Sequence, residues 1–114
     1  RALLPEEALQ RALLIERETG ERLRAGLEVL RSRRPDVIAE VRGKGLLVGV
    51  RLLPNNREFI AAARARRLLV AGGGDNCIRL LPPLVLTTEE ADQVLERVDA
   101  TCAAFSTAGR AEAA

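Results

Sequence analysis

Apolar positions divide the chain into alternating helical and extended stretches. Leu9, Leu13, Gly20, Leu23, Leu27 and Leu30 recur at helical spacing, and Ala8 and Ala12 widen the stripe. This predicts one long helix over residues 5–34. Pro5 suits the first helical position, Glu6 and Glu7 suit the electropositive first turn, and Arg31, Arg33 and Arg34 suit the last. Pro35 stops the helix. At ~1.5 Å per residue such a helix exceeds ~40 Å. A compact domain of this chain length has a radius of gyration near ~13 Å. Unless Gly20 breaks the helix, part of it outruns the core that this chain can build.

Two extended runs follow, VIAEV (37–41) and LLVGVRLL (46–53), joined by RGKG (42–45). The two glycines permit a tight or bulged connection. Asn55, three residues before Glu58, predicts the start of a short helix whose Phe59, Ile60 and Ala63 face inward. RLLVA (67–71) and CIRLL (77–81) read as a second strand pair across the turn GGGDN (72–76), and Pro82 and Pro83 end the ladder. Thr87 and Glu90 form a capping box for a last helix. Its buried face is marked by Ala91, Val94, Leu95, Val98, Cys102 and Phe105. Residues 106–114, STAGRAEAA, read as a disordered tail.

The order helix, strand, strand, helix, strand, strand, helix predicts an α+β fold, with helices packed on a small, largely antiparallel sheet. The 114 residues make one domain, assigned to 1–105, with 1–34 as its long leading helix.

Composition narrows the chemistry. The chain has no histidine, which removes Ser-His-Asp catalysis and histidine metal sites. A net charge of only +2 and two aromatic residues argue against a nucleic-acid footprint. No run is long and apolar enough for a membrane span, and no signal peptide is visible. The two cysteines, Cys77 and Cys102, match neither a disulfide framework nor a zinc spacing and read as buried free thiols packed in the core of a cytoplasmic protein. The chain begins at Arg1 and contains no methionine, as expected of a piece of something longer.

GGGD lacks the end of a phosphate loop and lies between strands, so it reads as a hairpin turn. RGKG could form an anion nest but reads better as a glycine turn. Lys44, the only lysine, sits on that polar turn, where nothing desolvates it enough to make a Schiff-base amine. Arg79 is the unusual residue: a permanent charge between Ile78 and Leu80. It either reaches solvent or a surface acid, or holds its planar fork ready for a carboxylate.

Three stretches, EVRGKGLLVGV (40–50), RLLVAGGGDNCIRLLPPLVLTTEEAD (67–92) and the lead-in LRAGLEVLRSRRPDVIAEVRGKG, closely resemble the C-terminal part of class III aminotransferases, nearest the acetylornithine and ornithine group. The resemblance covers residues 4–104. It implies the small C-terminal domain of fold type I pyridoxal-phosphate enzymes, entered by a long helix from a large domain. It also implies a cytoplasmic homodimer that transfers an amino group from an amino-acid or amine donor to 2-oxoglutarate, forming glutamate, as in arginine biosynthesis, with no nucleic-acid or membrane partner. Arg79 stands at the position of the family's substrate-carboxylate arginine. The Schiff-base lysine and most pyridoxal 5'-phosphate contacts of the family have no counterpart here, so the chain alone is expected to be catalytically inert. The competing expectation is a free-standing amino-acid-binding regulatory or interaction module.

Overall fold

The computed structural model describes residues 5–44, 47–80 and 87–106. Seven elements follow one another: α1 (Pro5–Arg33), β1 (Ile38–Lys44), β2 (Leu47–Leu52), α2 (Asn56–Ala65), β3 (Val70–Gly73), β4 (Cys77–Leu80) and α3 (Thr88–Ala103). The strands form one antiparallel sheet in the order β1-β2-β4-β3. Each hairpin is local, and the two meet where β2 pairs with β4, Gly49 opposite Arg79.

The core lies between one sheet face and the helices. Val48, Val50 and Leu52 on β2, Ile78 and Leu80 on β4, Leu23, Leu27 and Leu30 on α1, Phe59 and Ala63 on α2, and Ala91, Val98 and Cys102 on α3 are all buried there. The Phe59 ring stacks on Phe105 with centroids 5.7 Å apart. Gly26 brings α1 and α3 together, since a Cβ there would overlap Leu95 Cδ1. Two long-range ion pairs tie this region to α3: Arg22 of α1 grips Asp92 through two nitrogens at 3.1 and 2.9 Å, and Arg34, just past the end of α1, meets Asp99 at 2.9 Å.

Helix α1 runs unbroken through Gly20 for 29 residues. Its second half is buried by the sheet and α3, whereas Leu9 and Leu14 in the first half are 61 % and 54 % exposed. No described helix is long and apolar enough to cross a membrane.

Both predicted caps form. The Asn55 side chain accepts from the Arg57 and Glu58 amides, and the Thr87 hydroxyl accepts from the Glu90 amide while donating to its carboxylate. Four boundaries differ from the sequence reading. Arg42, Gly43 and Lys44 continue β1 rather than forming a turn, with Gly43 at φ 120°. The register also shifts between Ile38 and Glu40, a bulge that lets Ile38 and Val41, three positions apart, both face the core side. Strand β3 starts at Val70, not 67, because α2 closes with Arg67 left-handed at φ 59° and the Leu68 amide donating to Ala63 O. Its glycines 72 and 73 lie in the strand rather than the turn. Ser106, assigned to the disordered tail, is fully buried and donates to Asp36. Residues 107–114 and the Pro82–Pro83 exit lie outside the described residues.

Candidate functional site

Strand alternation sends Ile78 and Leu80 into the core and therefore turns Cys77 and Arg79 to the opposite face of the sheet. The same alternation places Glu40 and Arg42 of β1 and Gly49 and Arg51 of β2 on that face. A cavity of about 500 Å³ opens on it, lined by Arg42, Gly43, Gly49, Gly73, Cys77 and Arg79, among others. No helical residue contributes to the described lining.

Arg79 is exposed, and its cross-strand neighbours are small: Gly49 on β2 and Ala71 on β3. A Cβ built on Gly73 would stand 3.7 Å from Arg79 Nε, ordinary contact distance, so the missing side chain leaves the guanidinium clear on that side. Among the described residues Arg79 has no hydrogen-bond or ion-pair partner.

Its neighbouring arginines are engaged. Arg42 donates through Nη2 to Asp75 Oδ2 at 2.8 Å and to Glu40 Oε2 at 3.0 Å. Arg51 Nε donates to the same Glu40 oxygen at 3.3 Å. The hydrogen bonds from Arg42 and then Arg51 hold the Glu40 carboxyl below its ordinary value, and Glu40 and Asp75 in turn raise Arg42. Arg42 Nη1 also points to Cys77 Sγ at 3.5 Å. Cys77 is a buried free thiol, as the sequence implies, and the register puts it opposite Arg51 and Gly73, on the arginine face where it lines this cavity. Cys102 does pack in the core, where burial pushes its thiol up to about 12.

Two asparagines fasten the hairpin that carries Arg79. Asn76, at φ 55°, donates to Leu52 O and Pro54 O, each at 2.7 Å, and accepts from the Asn56 amide. The Asn56 side chain donates to Gly73 O and Cys77 O. Left-handed backbone suits Asn and Asp, which Asn76 and Asp75 supply. The sequence reading singled out Arg79 and missed Arg42, Glu40 and Asp75. The available signal was the polar alternation of Glu40 and Arg42 against Val41, which aligns them with Arg79 only once the register is known. The described residues contain no cluster of His, Cys, Asp or Glu able to hold a metal.

Residues 3–102 match the family model for Aminotransferase class-III. The chain belongs to the class-III aminotransferase family. It is 58 % identical over 78 residues to acetylornithine aminotransferase 2 of Caulobacter vibrioides, covering 68 % of this chain and 19 % of that protein. It is 51 % identical over 83 residues to an acetylornithine aminotransferase of Agrobacterium fabrum, covering 73 % and 21 %. Its structure is similar to the crystal structure of acetylornithine aminotransferase from Elizabethkingia anophelis, with a TM-score of 0.77 and 28 % identity, over 84 % of this chain and 26 % of that one. The chain thus spans about a fifth of these curated class-III relatives. Its α+β fold, an antiparallel sheet with flanking helices and a long leading helix, is the fold of part of a pyridoxal-phosphate-dependent aminotransferase.

Proposed function

We propose that this chain is the substrate-carboxylate recognition part of an acetylornithine- or ornithine-type aminotransferase that passes an amino group from an amino-acid donor to 2-oxoglutarate. The supporting observation is Arg79: an exposed guanidinium with no described partner, over bare glycine backbone, at a cavity whose other described arginine is already paired. A planar, permanently charged fork in that setting matches a carboxylate bidentately.

The cavity does not itself fit pyridoxal phosphate. No described lining residue is a lysine or an acid; the lining offers guanidiniums, a thiol, apolar groups and glycine backbone. In this reading the cofactor supplies the amino-transfer chemistry from residues outside this chain. Arg79 holds the substrate's carboxylate, orients the rest of the molecule and keeps one end fixed while the other reacts.

The test is Arg79→Ala in the whole protein. Loss of a charged bidentate contact lowers kcat/KM for 2-oxoglutarate by about 2–5 kcal/mol, while bound cofactor, read from its visible absorbance, stays the same. Unchanged kinetics with 2-oxoglutarate overturn the role.

A further inference from the structure

Glycine weakens a strand interior, because it loses the most backbone freedom on folding and gives the sheet no side chain to pack. Gly49 holds such a place, inside β2, with β1 on one side and β4 on the other. The usual reasons for a strand glycine are missing. Gly43 is the only described glycine at positive φ, so the Gly49 backbone suits any residue. The β1–β2 register is regular from Glu40 onward, so no bulge falls at Gly49. Nor does the protein crowd it: a Cβ there would stand 3.4 Å from Ile78 O and 4.0 Å from Arg42 O, and would meet no described side chain within 4 Å. The remaining reason is close approach of a ligand to the backbone. The position favours it. Gly49 pairs with Arg42 on one side and Arg79 on the other, and all three line the cavity. The two arginine backbones are thus roughly 10 Å apart, two strand spacings, with bare backbone between. Arg79 leaves that trough open: its Nε stands 3.7 Å from a Cβ built on Gly73, whereas none of its atoms comes within 4 Å of one built on Gly49.

We propose that Gly49 is a specificity-determining residue: its missing side chain opens a seat in which the carbon chain of a carboxylate held by Arg79 lies against bare β2 backbone. The inference rests on the carboxylate reading of Arg79 and deepens it by saying where the rest of the ligand goes. The guanidinium fixes the charged end, and the trough beside it takes the aliphatic carbons next to that end. A side chain at position 49 would stand in their place, so the strand keeps a glycine there at the expense of its own stability.

The test uses acetate and butyrate as probes, titrated calorimetrically into the whole protein. Both bring one carboxylate, and butyrate adds two methylenes. Gly49→Ala should weaken butyrate about fourfold relative to acetate, the scale of one buried methylene. Its methyl occupies the trough and leaves the guanidinium free. The denaturant midpoint should not fall, since alanine suits a strand interior better than glycine. A packing role for Gly49 would instead lower stability and binding together. A butyrate-to-acetate ratio unchanged within twofold overturns the inference, including the case where both probes weaken equally because the methyl has displaced Arg79. A midpoint below that of the wild type also overturns it, by showing that another part of the protein fills the trough. Arg79→Ala separates the two levels: loss of both probes upholds the carboxylate reading, whatever Gly49 does. Full binding of both probes to Arg79→Ala defeats that reading and this inference with it.

Discussion

Arg79 Nε stands 3.7 Å from where the Cβ of Gly73 would be, so the arginine borders backbone where any other residue would put a side chain. Gly73 is not at positive φ among the described glycines, and a larger residue can be accommodated without backbone strain. Gly73→Val should therefore preserve the fold and crowd the guanidinium. The expected loss is about 1.5 kcal/mol of carboxylate binding, one charge-assisted hydrogen bond. Titration with butyrate, alongside an unchanged denaturant midpoint, checks it; undiminished binding would show that Arg79 does not use this space.

Stability should track burial along the helices. Phe59 is fully buried and stacked on Phe105, so Phe59→Ala should cost about 3–5 kcal/mol. Leu9, more than half exposed, should change by no more than ~0.5 kcal/mol on replacement by alanine. Denaturant unfolding of both variants provides the comparison, and equal losses would contradict the packing described.

Acid should weaken the fold through identified groups. Glu40 is held below its ordinary value of 4.5 by Arg42 and Arg51, and Asp92 below 3.8 by Arg22. A carboxyl depressed in the folded state contributes stability that is complete above its unfolded value and is lost as pH falls through the folded one. Unfolding free energy should thus be flat with respect to these groups above about pH 5 and fall below pH 4.5. Asp92→Asn should flatten part of that fall. An acid limb identical in the variant would remove the Arg22–Asp92 pair from the account.

The two thiols should separate under alkylation. Cys102 lies in the core with its thiol raised to about 12, so almost no thiolate exists at pH 8. Cys77 borders the open cavity. Iodoacetamide on the native protein should label Cys77 before Cys102, and Cys102 should react readily only in denaturant. Peptide mass mapping reads the order, and native labelling of Cys102 first would contradict its burial.

The helices were readable because their signals are local: Pro5, Asn55 and Thr87 mark starts within one turn, and the stripe through Leu23, Leu27 and Leu30 marks the buried side. The strands were less so, because their limits depend on partners. Ala39 falls within a register shift that appears only when β1 meets β2. Arg67 ends α2 in a left-handed conformation usually given to glycine, so the stretch read as extended to the eye. Arg79 stood out because a charge interrupts an apolar run. Arg42 did not, since its partner Asp75 is 33 residues away and only the assembled sheet brings them together. Cys77 reads as buried from the sequence and is buried, but which face of the sheet it occupies shows only once the register is known.

The strand order has a kinetic consequence. Each hairpin needs only short loop closure, but the β2–β4 seam joins residues such as Gly49 and Arg79, some thirty positions apart in the chain. The cavity exists only once that seam has zipped, because its walls come from both hairpins. A carboxylate ligand would therefore recognise only chains that have completed this late, non-local step, and by mass action would hold the two halves of the sheet closed.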